Sequence, residues 1–176
     1  QDLIDAMYVS FQYTLLVIVG GALIVYEIIN GQLTGILNEE RNRFEHKASH
    51  DDLTGIPNRF EFFRRLKTGI DEARERDQKV AVVYIDLDGF KPVNDIYGHI
   101  AGDRLLIEVG QRLSELDSGT FIARLGGDEF GLILTGDLSD TDLQSTGDRI
   151  CEMIGKPFEL DSFTANIGGT LGLAQY

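Results

Sequence analysis

Hydrophobic and polar positions divide the chain into three regimes. From 8 to 29 the sequence is almost wholly apolar, and no charge occurs between Val9 and Tyr26. Roughly 20 apolar residues in a helix span the ~30 Å hydrocarbon core of a bilayer, so this stretch predicts a transmembrane helix with Tyr8 and Tyr26 near the headgroups. It lacks the basic start and small-residue cleavage site of a signal peptide. Asp2 and Asp5 precede it, and Arg41, Arg43 and Lys47 follow it. That asymmetry puts the C-terminal side in the cytoplasm. Residues 30–50 are polar, with a narrow stripe of Leu33, Ile36, Leu37 and Phe44 opposite Glu39, Glu40, Arg41, Arg43, Glu45 and Lys47. A helix of this kind gains stability by pairing, which predicts a helical connector, either paired as a coiled coil or, given Gly31 and Gly35, a plain solvated linker.

From 51 onward the pattern switches between helical and strand periods. Gly55 and Pro57 break the connector, and Asn58 caps a helix to about Arg76 whose apolar face is Phe60, Phe63, Leu66 and Ile70. Residues 80–86 form a continuous β-branched run, the pattern of a central strand buried on both faces. Residues 90–103 read as a loop or short helical segment, followed by a helix over 103–116 with Leu105, Leu106, Val109 and Leu113 inward. Strand-like flanks at 120–123 and 130–135 enclose Gly126-Gly127-Asp128-Glu129, whose glycines supply the positive φ of a hairpin turn. Ser139 to Asp142 cap a helix to about Ile154, stopped by Gly155-Lys156-Pro157. Residues 164–174 read as one glycine-rich strand, without the Gly-Lys-Ser/Thr ending of a phosphate loop.

The 176 residues suit one domain of ordinary size with an appendage, and a hydrophobic fraction of 43% suffices for a core. A net charge of −13 argues against a nucleic-acid surface, which needs a basic stripe, and it suits a protein whose carboxylates recruit divalent cations. The single cysteine, Cys151, excludes an internal disulfide and a cysteine-based zinc site; a small buried side chain on a helix is its expected role. Beginning at Gln1 and ending at Tyr176 after an apolar run, the chain reads as a fragment.

The chemistry gathers at three places. Asp86 closes a buried strand, where a carboxylate needs pairing, hydrogen bonds or a metal. Asp128 and Glu129 stand at or beside a rigid hairpin tip, which suits a divalent metal, although Gly and Asp also dominate plain turns. Asn94 and Asp103, converging on one pocket, suit a purine base edge.

Asp52-Leu53-Thr54-Gly55-Ile56-Pro57-Asn58-Arg59, Asp86-Leu87-Asp88-Gly89-Phe90-Lys91, Asn94-Asp95-Ile96-Tyr97-Gly98-His99 with Gly102-Asp103, and Arg124-Leu125-Gly126-Gly127-Asp128-Glu129-Phe130 stand in order. Together they resemble the GGDEF family, the diguanylate cyclases, over 51–176. The resemblance implies an α/β fold with a mostly antiparallel central sheet flanked by helices, as in nucleotidyl cyclases and polymerase palms. It implies condensation of two GTP molecules into cyclic di-GMP with release of two pyrophosphates, each domain holding one GTP, so that a homodimer is required. In that reading 1–29 is the transmembrane helix, 30–50 the connector, and 51–176 a GGDEF domain without its C-terminal part. The protein would sit in the inner (cytoplasmic) membrane of a bacterium with its catalytic domain in the cytoplasm.

In-line attack of a 3′-hydroxyl on an α-phosphate builds charge that two Mg²⁺ (or Mn²⁺) ions per site neutralise. Such hard ions take oxygen ligands, for which Asp86, the Leu87 carbonyl, and Asp128 or Glu129 are the candidates. By resemblance, one carboxylate of the Asp128–Glu129 pair also assists deprotonation, and either fits either role. Lys91 would meet the triphosphate as a point charge. Asn94 and Asp103 would hold the guanine, and Phe90 and His99 would shape the pocket. An inhibitory Arg-x-x-Asp would begin nine positions before the first glycine; Asp117 and Thr120 stand there, so product inhibition through that site is not expected. The other reading of the same motifs is a non-catalytic module that binds GTP as an allosteric or scaffold domain.

Overall fold

In chain order the elements are α1 (Arg59–Arg76), β1 (Lys79–Asp88), α2 (Phe90–Tyr97), α3 (His99–Leu113), β2 (Thr120–Gly126), β3 (Glu129–Gly136), α4 (Asp140–Gly155), β4 (Phe158–Leu160), β5 (Phe163–Ala165) and β6 (Gly168–Gln175). They come from a computed structural model that describes residues 47–116, 119–160 and 163–176. The expected membrane span, the connector before Lys47 and position 117 lie outside the described residues. Among the described residues no helix is long and apolar enough to cross a membrane.

The β-branched run becomes β1, an inner strand of a four-stranded sheet ordered β2-β3-β1-β6, and every pairing is antiparallel. Helices α2 and α3 carry the chain from β1 past β3 to β2, and α4 carries it from β3 past β1 to β6. These are two interleaved split β-α-β connections. The expected α/β architecture with an antiparallel sheet and flanking helices is the one observed.

Two cores sandwich the sheet. On one face Val83, Ile85 and Leu87 of β1 meet Leu105, Val109 and Leu113 of α3 and Ile150 and Ile154 of α4, with Phe158 closing the end. On the other face Phe62 and Ala73 of α1 cover Val80, Ala123 and Ile133. The Phe62 ring lies where Gly131 has no side chain; a Cβ there would fall 2.7 Å from the ring.

Several expectations are corrected. On α1 Leu66 and Ile70 pack inward as expected, beside the buried Phe62, Gly69 and Ala73, whereas Phe60 and Phe63 are exposed, because it is Phe62 whose ring fills the space over Gly131. Strand β1 is fully buried on one face only: α1 covers its beginning, and Tyr84 is 38% exposed. Helix α3 begins at His99 rather than 103, separated from α2 by Gly98 at φ +85°. The stretch 164–174 divides into β5, which pairs with β4 in a small second sheet, and β6, which pairs with β1. Cys151 is exposed, since α4 turns Leu143, Ile150, Met153 and Ile154 inward.

Candidate active site

The uncovered end of β1 is where the candidate residues gather. Alternation along β1 puts Tyr84, Asp86 and Asp88 on the face that α1 leaves open. Asp86 pairs across the ladder with Glu129 on one side and Thr170 on the other. Thr170 donates its hydroxyl to Asp88 at 2.9 Å. The β2–β3 hairpin brings Asp128 alongside: its register shifts between Arg124 and Gly126, with Gly126 at φ +142° and Gly127 at φ +55°. The Leu87 amide donates to the Asp128 carbonyl at 3.3 Å, tying the hairpin tip to the end of β1.

Electrostatics mark the same corner. Burial raises the pKa of Asp86, and the negative charges of Asp128, Asp88 and Glu129 raise it further. Tyr84 donates its hydroxyl to Glu129; this hydrogen bond, with desolvation and the Glu129 charge, pushes the Tyr84 pKa up to about 12. Four carboxylates thus crowd one end of the sheet. Among the described residues no three His, Cys, Asp or Glu side chains converge as a ready-made metal-binding set. A crowd of hard oxygen donors repelling one another still fits Mg²⁺, which takes one or two carboxylates and completes its shell with water and substrate phosphates.

The other candidates border this corner. Helix α2 starts directly after β1, and its N-cap Gly89, at φ +86°, makes no side-chain capping bond. The first-turn N–H groups of a helix have no intrahelical partner, and here that turn follows directly on the end of β1 that carries the carboxylates, a place where an anion is favoured. Lys91 is exposed on that turn. Asn94 and Asp103 are brought together by the α2–α3 corner: the Asn94 side chain lies over Gly102, where a Cβ would fall 2.0 Å from its Oδ1. Asp103 is exposed one residue further on. His99 is exposed at the start of α3, whereas Phe90 is a core residue, packed with Val93 and Leu105. Leu87 likewise buries its side chain, so only its backbone is offered to the site.

Sequence reasoning assigned no role to Tyr84, Arg124 or Asp51. Tyr84 sits two residues before Asp86, so the period of two alone puts it on the same open face. Arg124 donates to the Gly127 carbonyl through Nε at 3.1 Å and through one terminal nitrogen at 2.8 Å. Its other terminal nitrogen donates to Asp51 Oδ1 at 2.9 Å, a contact 73 residues away in sequence that no local pattern shows.

Comparison with known proteins agrees with the geometry. The family model described as diguanylate cyclase, GGDEF domain, matches residues 48–176. The chain is 38% identical over 142 residues to the diguanylate cyclase TpbB of Pseudomonas aeruginosa, covering 80% of this chain and 33% of TpbB. It is 40% identical over 130 residues to the bifunctional diguanylate cyclase/cyclic di-GMP phosphodiesterase MucR of the same species, covering 73% of this chain and 19% of MucR. It therefore spans a third or less of the length of these relatives. The solved GGDEF domain of TpbB superposes with a TM-score of 0.68 at 39% identity, covering 72% of this chain and 75% of that one.

Proposed function

The chain belongs to the GGDEF family of diguanylate cyclases, and from that premise we propose that it joins two GTP molecules into cyclic di-GMP, releasing two pyrophosphates. The observation that carries the reading is the carboxylate corner: Asp86 opposite Glu129 in the ladder, Asp128 on the turn beside them, and an uncapped helix start next door.

Each chain would hold one GTP. Asn94 and Asp103 take the guanine edge, a pairing made possible by the bare Cα of Gly102. The first turn of α2 and Lys91 take the triphosphate. Mg²⁺ or Mn²⁺, two per site, bound by Asp86, the Leu87 carbonyl and Asp128 or Glu129, would acidify the 3′-hydroxyl and neutralise charge on the phosphate. The 3′-oxygen bonds to the α-phosphorus as the bond to the bridging oxygen breaks and pyrophosphate departs. The hydroxyl proton passes to one carboxylate of the Asp128–Glu129 pair. Tyr84 would hold Glu129 in place through its hydroxyl, whose pKa the Glu129 carboxylate pushes up to about 12. A second copy, facing the first, supplies the other GTP. A membrane anchor at 8–29 would keep this domain at the cytoplasmic face of a bacterial inner membrane; fractionation of the intact protein with the membranes, lost on deletion of 8–29, is the expected result.

The test is product formation from GTP and Mg²⁺ by the intact protein, beside an Asp128→Ala, Glu129→Ala double variant. Cyclic di-GMP from the first and none from the second is the expected outcome. GTP binding without product, in protein shown to be dimeric, would move the reading to a non-catalytic nucleotide-binding module.

A further inference from the structure

We propose that Arg124, itself fixed by Asp51, is a positioning residue for the catalytic turn, so that the loop 51–58 supports the active site as well as starting the domain. The inference rests on the reading of Asp128 and Glu129 as reacting carboxylates. The turn stands in open space: a Cβ built on Gly126 or on Gly127 meets nothing within 4 Å. Van der Waals packing at these two positions therefore does little to set its direction, and both are glycines at positive φ, with no side chain to restrict the backbone. Hydrogen bonds must do so. The Leu87 amide holds the Asp128 carbonyl, and two guanidinium nitrogens of Arg124 converge on the Gly127 carbonyl.

Arg124 is in turn held rigidly. Its side chain is only 11% exposed and its third nitrogen is on Asp51 Oδ1. The same Oδ1 accepts the Thr54 amide at 2.9 Å and the Thr54 hydroxyl at 2.7 Å. The Arg124 amide donates to the Pro57 carbonyl at 2.9 Å, so backbone and side chain both lock onto the loop. The loop is fastened further by Asn58, whose amide nitrogen Nδ2 donates to the Ala48 and His50 carbonyls while its Oδ1 caps α1 through Glu61. A displacement of residues 48–50 therefore reaches Asp51, then the planar fork of Arg124, then the carbonyl just before Asp128. A lysine has one donor nitrogen on a flexible stem and cannot span both partners.

The experiment compares Arg124→Lys, Asp51→Asn and the double variant with the intact protein, at a temperature where all are fully folded. Amide hydrogen exchange reads the turn peptide 121–132 against α4 as control, and steady-state kinetics read kcat and KM for GTP. Expected for Arg124→Lys are exchange about tenfold faster at 126–129 with α4 unchanged, and kcat lower by about tenfold or more. KM should stay within about twofold, because Asn94 and Asp103 are untouched. The double variant should be no worse than Arg124→Lys alone, as expected for residues acting through one contact. Exchange that rises equally in α4, exchange unchanged at the turn, or a loosened turn with kcat intact would each overturn the proposal. An unmodified protein without turnover would overturn the functional reading instead, and the exchange comparison would then decide the positioning of the turn by itself.

Discussion

Gly102 lies within α3, where replacing glycine by alanine ordinarily gains up to about 1 kcal/mol. Here the added methyl would fall 2.0 Å from Asn94 Oδ1 and 2.8 Å from its Cγ. The obstacle is the end of a side chain rather than backbone, so the fold can yield by swinging Asn94 aside. Gly102→Ala is therefore expected to leave the unfolding midpoint unchanged or slightly higher, while weakening guanine nucleotide binding about tenfold, measured by calorimetry with a GTP analogue. Equal affinity would show that Asn94 does not read the base. Asp51 makes a different kind of prediction. Burial raises its pKa, but the hydrogen bonds from Thr54 and Arg124 and the Arg124 charge outweigh that and leave it lowered. A depressed carboxyl stabilises the fold above its unfolded value, near 3.8, and that contribution is lost as pH falls through the folded value. Asp51→Asn should accordingly cost about 1–2 kcal/mol at neutral pH and flatten the dependence of thermal stability on pH below about pH 4.

Helix α4 is closed at both ends by devices of different legibility. At its start Ser139 and Asp142 form a reciprocal capping box, the Ser139 hydroxyl accepting the Asp142 amide and the Asp142 carboxylate accepting the Ser139 amide. At its end Arg112 of α3 donates to the Met153, Lys156 and Pro157 carbonyls and lies 3.5 Å over the Phe158 ring. Ser139→Ala should cost about 1 kcal/mol. Arg112→Ala should cost about 2–3 kcal/mol, since three carbonyls lose a charged donor, and Arg112→Lys should recover little of it. Thermal unfolding of the three variants checks the order. The capping box was readable because its partners are three residues apart; the Arg112 staple, spanning more than 40, was not. The same contrast runs through the fold. A 3.6-residue period fits Phe60 and Phe63 as well as Phe62, and only the slot over Gly131, on another element, decides between them. Strand β4 has three residues, too few for a period to show. The carboxylates and the Asn94–Asp103 pair were legible because each sits at the end of a strand, on a turn or at a helix corner, places that local chemistry marks. The role of Arg124 was not, because it depends on which elements become neighbours, and the period of two put Tyr84 on the open face without showing that Glu129 would stand beside it.

At the scale of the molecule, the proposed reaction imposes a condition that one chain cannot meet. In the proposed reading the carboxylate corner and the Asn94–Asp103 corner of one chain would serve a single nucleotide, whereas closing the ring of cyclic di-GMP forms two phosphodiester bonds between two nucleotides. The attacking hydroxyl must then come from GTP held by another copy. The residues expected to hold nucleotide are exposed or half-buried at the α2–α3 corner and the hairpin tip, so nothing in the described fold prevents two such corners from meeting. If they do, specific activity at saturating GTP and Mg²⁺ is not a constant of the protein. Well below the dimer dissociation constant it rises in proportion to protein concentration, and well above it reaches a plateau. Fusing two copies through a flexible linker, or adding a strong dimerising segment before residue 47, turns assembly into an intramolecular event and should abolish the dependence at the same plateau. A mixture makes the condition sharper. Asp128→Ala, Glu129→Ala subunits added in excess to unmodified ones should suppress activity by more than dilution, because each mixed pair carries one corner unable to complete its half of the ring. Activity independent of concentration, and merely diluted by the inactive subunit, would mean that a single chain completes the reaction and that the two-copy arrangement is wrong.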